Sequence, residues 1–179
     1  MSAIGDFLQK IRNLEKRAKY LQEHHVRVGW VDGATETNED GTPGAPLATI
    51  AKTLNYGRAG GRSTKDGHEY GAIPARNFVD VFQRKHLKPV TATIVREVLD
   101  FEEGKNTVNF QKVGVVAKGQ FQRAIKDSNE YAANSPFTVS GGWMRNPVTG
   151  KPFYAKGKKS ARPLIDKGTL VNSVEFEIK

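Results

Sequence analysis

The chain has 179 residues, enough for one domain with a sizeable core. Its 37% hydrophobic content, beside 18 glycines and 8 prolines, points to a modest core carrying long excursions. No apolar run approaches the roughly 20 residues that a bilayer span requires. A formal net charge of +9 admits nucleic acid, an acidic protein surface or no specific partner, whereas the absence of cysteine excludes disulfides and thiolate metal sites and fits a reducing cytoplasm.

Residues 4–21 are expected to form a helix, because Ile4, Phe7, Leu8, Ile11, Leu14, Ala18 and Leu21 recur at spacings of three and four among Lys10, Arg12, Lys16, Arg17 and Lys19. The charges along this segment do not fit a signal peptide. A basic amphipathic helix suits either a membrane surface or docking with its charged face in water, and docking is the expectation. His24 and His25 connect helix to strand; adjacent histidines diverge in direction, and no carboxylate or thiol stands at ligand spacing. Val26 to Asp32 alternates as a strand, with Val26, Val28 and Trp30 on one face. Residues 34–45, with Glu36, Glu39, Asp40 and no cation, are expected to be a polar loop or a hairpin tip.

A short helix should begin at Pro46, bury Leu47, Ile50, Ala51 and Leu54, and end at Gly57 in a left-handed cap. The glycine-rich segment 58–72, bearing Arg58 and Arg62, has almost nothing to bury and lacks the Gly-Lys-Ser/Thr of a phosphate loop. At Ile73 to Phe82 this arm meets a packed body. Pro74 holds Ile73 extended, Asn77 is placed to cap a helix, and Phe78, Val81 and Phe82 share its apolar face. That helix should run to Lys88, where Pro89 breaks or kinks it and starts another carrying Val90, Ile94, Val98 and Phe101. A further helix, capped by Thr107, should bury Phe110, Val113, Ala117, Phe121, Ala124 and Ile125.

From Tyr131 to Arg162 periodicity is lost. Scattered Phe137, Trp143, Phe153 and Tyr154 accompany Lys151, Lys156, Lys158, Lys159 and Arg162, with no acid between 151 and 162. Cations interleaved with aromatics fit single-stranded nucleic acid, a solvated hairpin tip or a rim contact with an acidic neighbour. At the end, Val174, Phe176 and Ile178 alternate as a strand able to pair with Val26–Val31 and bring the two chain ends together. No catalytic constellation emerges: no cysteine nucleophile and no Gly-x-Ser-x-Gly elbow is present, and His24, His25, His68 and His86 have no carboxylates patterned around them. Asp32, Asp166 and the acids at 100–103 are the only candidates for a metal site, and a solvated helix end explains the last group.

Three segments in order resemble a family of small tailed-bacteriophage proteins, the tail-completion or head–tail joining family. Leu47 to Gly57 resembles its "ia…neyG" segment, Ile73 to Phe78 its "IPaRPF" junction, and Pro163 to Val174 its C-terminal "pLidTGqLrnSi". Asn77 stands where the family prefers proline, and Lys167 where it prefers threonine. The resemblance implies an α+β fold over residues 1–179, a small antiparallel sheet packed by helices with long loops. It also implies a virion protein of the neck, assembled in the host cytoplasm. Such a protein forms a ring of six or twelve subunits between the head connector and the tail tube, with no cofactor, no reaction and no membrane. Ring closure needs two unlike, complementary surfaces on one subunit. The acidic excursion (Glu36, Glu39, Asp40) of one copy is therefore expected to face a basic one (Arg58, Arg62; Lys151, Lys156, Lys158, Lys159, Arg162) of the next. Arg76 and Phe78 would anchor the arm, and genomic DNA could pass transiently along a basic rim. The alternative is a nucleic-acid-binding protein using 151–162.

Overall fold

In a computed structural model, residues 3–30, 33–37, 41–62, 69–102, 107–146, 149–158, 162–164 and 168–179 are described, with Ala3, Arg62, Glu69, Tyr70 and Glu102 described for their backbone alone. The fold is α+β. In order come α1 (Ala3–Glu23), β1 (Val26–Gly29), β2 (Thr35–Thr37), β3 (Pro43–Pro46), α2 (Leu47–Tyr56), β4 (Gly61–Arg62) and β5 (Glu69–Tyr70). There follow α3 (Phe78–Val81), α4 (Leu87–Glu102), α5 (Phe110–Lys126), α6 (Pro136–Ser140), β6 (Gly141–Arg145), β7 (Pro152–Lys156), α7 (Thr169–Asn172) and β8 (Glu175–Ile178).

The central element is α5. Its stripe of Val113, Ala117, Phe121, Ala124 and Ile125 is buried, as its spacing predicts. Asn109, not Thr107, caps it by accepting from the Lys112 amide at 3.0 Å. An asparagine directly before the first helical residue reaches the free amides better than a threonine two residues earlier. Against one side of α5 lies the antiparallel pair β1–β8, with Val26 opposite Ile178 and Val28 opposite Phe176, so the expected joining of the chain ends is observed. The pair sits very close to the helix. A Cβ on Gly114 would lie 2.1 Å from the Phe176 ring, so only glycine fits there without that ring moving. The core is completed by Phe78, Val81, Leu170, Val171 and Val174. The rings of Trp30, Phe78 and Phe121 meet edge to face at 5.7–5.9 Å, and the Trp30 Nε1 donates to the Leu170 carbonyl at 2.9 Å.

Pro89 does not separate two helices. α3 continues through a π-helical turn, Phe82–His86, directly into α4, with Pro89 in the first turn of α4. Proline lacks an amide, and its ring crowds the carbonyl four residues back, that of Lys85; widening the helix just there accommodates both defects without a break. The bulge turns Arg84 and Lys85 toward a 3₁₀ turn, Ser128–Glu130. Arg84 donates to Asp80 at 2.8 Å and to Glu130 at 3.4 Å, and Lys85 donates to Glu130 as well.

The hydrogen bond from Lys85 chiefly, with that from Arg84, holds the Glu130 carboxyl below its ordinary value of 4.5, against a smaller opposing effect of desolvation. A depressed carboxyl stabilises the fold above its unfolded pKa and ceases to as pH falls through its folded one. Urea unfolding followed from pH 6 to about pH 3 is therefore expected to show a shallower acid-side loss in Glu130→Gln than in wild type. Identical acid limbs would refute that contribution.

The end of α1 is held to the body by its last two turns. Tyr20 meets Phe101 and Phe110, His24 stacks on Phe110 at an interplanar angle of 10°, and the Arg17 guanidinium lies 5.2 Å from the Phe101 ring centre. The helix is as expected, but its docking is confined to this end, and its apolar face from Ile4 to Leu14 is exposed.

Candidate interaction surface

The junction at Ile73–Phe82 is built from both sides. Arg58 and Ile73 exchange backbone hydrogen bonds at 2.8 Å each, which clamps the base of the 58–72 arm, and the Arg76 amide donates to the Leu54 carbonyl at 2.9 Å. Within the arm, β4 pairs with β5, so it is a hairpin and not a structureless loop; its tip, residues 63–68 with His68, lies outside the described residues. The helix start is capped from a distance. Asn77 makes no side-chain cap, whereas the buried Asn55, at the end of α2, accepts from the Val79 amide at 3.1 Å. An asparagine two residues from the end of the matched "neyG" segment carried no signal for this; only the approach of α2 to α3 places its Oδ1 at a helix N-terminus. Gly57 has φ 73° and ψ 179°, which is not the expected left-handed cap but an extended conformation with positive φ that glycine alone adopts readily.

The two residues expected to anchor the arm are both interior. Phe78 is 1% exposed, at the centre of the aromatic cluster. Its place in the helix pattern put it on the buried face, where it joins the base of the arm to the core of its own chain. Arg76 is buried too. Its Nη2 donates to Asn134 Oδ1 at 3.1 Å, and Asn134 Nδ2 donates to the Arg162 carbonyl at 3.1 Å, so Arg76 braces the junction against the 131–162 segment within one subunit. Burial lowers its pKa by removing water from the charge.

Arg76, Glu36 and Lys158 line one cleft of about 130 Å³ together with Leu47, Ile50 and Leu54. The acidic and basic excursions thus line one cleft within a single copy, at Glu36 and Lys158. Glu39, Asp40 and Lys159 lie outside the described residues, as do Asp32 and Asp166, and the side chain of Arg62 is not described. Arg58, Lys151 and Lys156 are at the surface.

The 131–162 segment is more ordered than its lost periodicity suggests. Ser135 caps α6 by accepting from Thr138, with Pro136 in the first turn, and α6 leads straight into the hairpin β6–β7. Cross-strand register places Trp143 opposite Tyr154, with their rings edge to face at 5.7 Å, and Met144 opposite Phe153. Successive strand residues point to opposite faces, so both faces of the hairpin carry large apolar groups. All four are exposed, Trp143 most of all at 74%. Exposed Arg145, Lys151 and Lys156 lie along the same two strands and their connection. The sequence contained these residues but not their pairing, because alternation over five residues is hidden by the glycines and prolines at each strand's ends.

Among the described residues no group of three or more histidine, aspartate or glutamate side chains is arranged to hold a metal ion, and no helix is long and apolar enough to cross a membrane. No family model matches the chain, and no curated protein and no solved structure shows a significant match to it.

Proposed function

We propose that this chain is a structural subunit of a tailed-phage neck, assembling with copies of itself into a closed ring that joins the head connector to the tail, and performing no reaction. One observation carries the proposal beyond the motif resemblance: the hairpin β6–β7 exposes aromatic side chains on both faces. A two-stranded hairpin is marginal in water on its own, and large apolar groups on both of its faces gain free energy only when something covers them. A neighbouring subunit in a ring would cover them, and Lys151 and Lys156 beside them would set register against an acidic surface. The same aromatics flanked by cations also favour a second function, stacking of single-stranded nucleic acid on Trp143 and Tyr154.

Sedimentation of the purified protein across salt concentrations separates the two. For a ring subunit, the expected result is a particle of several chains that Trp143→Ala with Tyr154→Ala reduces to smaller species, and whose formation Lys151→Glu with Lys156→Glu weakens most at low salt. A particle of one chain under all conditions overturns the ring. If that single chain retains an oligonucleotide with a steep inverse dependence on salt, the second function replaces it.

A further inference from the structure

We infer that α1 of one copy of this chain lies in the apolar groove between α4, α5 and β1 of a second copy. The helix face and the groove are two unlike apolar surfaces of the same chain; the helix face is exposed, and the groove, floored by the buried Val90 and Val113, is open above Leu87 and Ile94.

The convex partner is the first three turns of α1. Ile4, Phe7, Leu8, Ile11 and Leu14 fall at i, i+3, i+4, i+7 and i+10, the spacing by which a helix is read in a groove. Each is between 37% and 71% exposed. Leu8 widens the stripe beyond the strict seam of alternating threes and fours that a two-stranded coiled coil uses, so the face suits a broad surface better than a second α1. The concave partner is an open groove of about 540 Å³ walled by Leu87, Val90, Ile94 and Val98 of α4, Val113 of α5 and Val28 of β1. Among the described residues lining it, His24 and His25 at its rim are the only polar ones, and Leu87 and Ile94 remain more than a third exposed.

The helix of the same copy does not occupy the groove. Leu21 reaches its edge, but the connection to β1 is only His24 and His25, and the His24 ring is fixed by its stack on Phe110 and by a 2.8 Å contact with the Tyr20 carbonyl. With Tyr20 and Arg17 on Phe101, these contacts set the direction in which α1 leaves the body. The size of the contact fits a second copy. One helix-in-groove contact covers on the order of 600–700 Å², and the two that a reciprocal pair makes together cover on the order of 1,300 Å², above the lower bound for a specific interface. Each copy gives one helix and receives one, so a reciprocal pair or a ring makes the contact twice per subunit. The inference does not depend on the neck assignment, since a reciprocal pair satisfies it as fully as a ring.

The chain contains no cysteine, so introduced thiols are unique. Leu8→Cys protein is mixed with Ile94→Cys protein under mild oxidation. The expected product is a two-chain species holding one of each, formed about tenfold faster than a disulfide in either preparation alone. Sedimentation of Ile11→Asp, with its helical content checked by circular dichroism, is expected to give a smaller particle than wild type. The inference is overturned if the mixed species does not form or if Leu8→Cys protein pairs with itself faster. It is equally overturned if a chain carrying both substitutions closes within itself at high dilution. Rings that form without the mixed cross-link would also refute this contact while leaving the neck assignment standing.

Discussion

Replacing Phe78 with alanine is expected to lower the unfolding free energy by about 3–5 kcal/mol, the cost of removing a buried aromatic side chain and leaving a cavity. Phe78 meets Trp30 and Phe121 edge to face at 5.8 and 5.9 Å, and Phe121 meets Phe82 at 5.3 Å, so one truncation removes the middle of a chain of rings. The loss is concentrated where α3, α5 and the strand-end Trp30 converge, and little can relax into the space because Ala124, Ile125 and Val174 around it are fully buried. Phe78→Leu keeps most of the volume and is expected to lose about 1–2 kcal/mol. Urea unfolding of dilute protein measures both. An interface role for Phe78 makes the opposite forecast, unchanged stability of the dilute protein with assembly alone impaired, and that outcome would refute the interior assignment.

Gly57→Ala is expected to cost about 2–3 kcal/mol or more. Two effects add. The backbone at φ 73° and ψ 179° is one that a side chain rarely tolerates, and a Cβ would stand 2.7 Å from both the Ala75 amide nitrogen and the Ile73 carbonyl oxygen. Both atoms are backbone, held by the Arg58–Ile73 hydrogen bonds and by the Arg76–Leu54 hydrogen bond, so no rotamer change relieves the clash. Gly150 is the control. It also has positive φ, 67°, but nothing lies within 4 Å of its Cβ position, so Gly150→Ala is expected to cost about 1 kcal/mol, the conformational part alone. Equal losses in the two variants would show that the close approach at Gly57 contributes nothing. The larger loss is expected to be accompanied by faster proteolysis in the 58–72 arm, because the junction that clamps its base is what the substitution strains.

The residues themselves determined the elements whose burial repeats with a helical or strand period. The α5 stripe, the apolar pattern of α1, the short α2 and the pairing of the first strand with the last were all legible, because each follows from local periodicity and the need to bury one face. The α+β fold class was the expectation that the resemblance of the three segments implied, and it is the class observed. What only the tertiary structure decided are the matters of contact between distant segments. Asn55 and not Asn77 caps α3, since a cap is a hydrogen bond that any nearby acceptor can make, whichever segment carries it. Arg76 and Phe78 turn inward although one is charged and both sit at a loop-to-helix junction, because Asn134 and the aromatic cluster wait for them there. The scattered aromatics between 131 and 162 become paired groups on both faces of one hairpin, and α1 ends with its stripe exposed although the stripe itself was plain in the sequence. Periodicity states which face of an element seeks cover; it carries no information on which surface, of this copy or another, provides it.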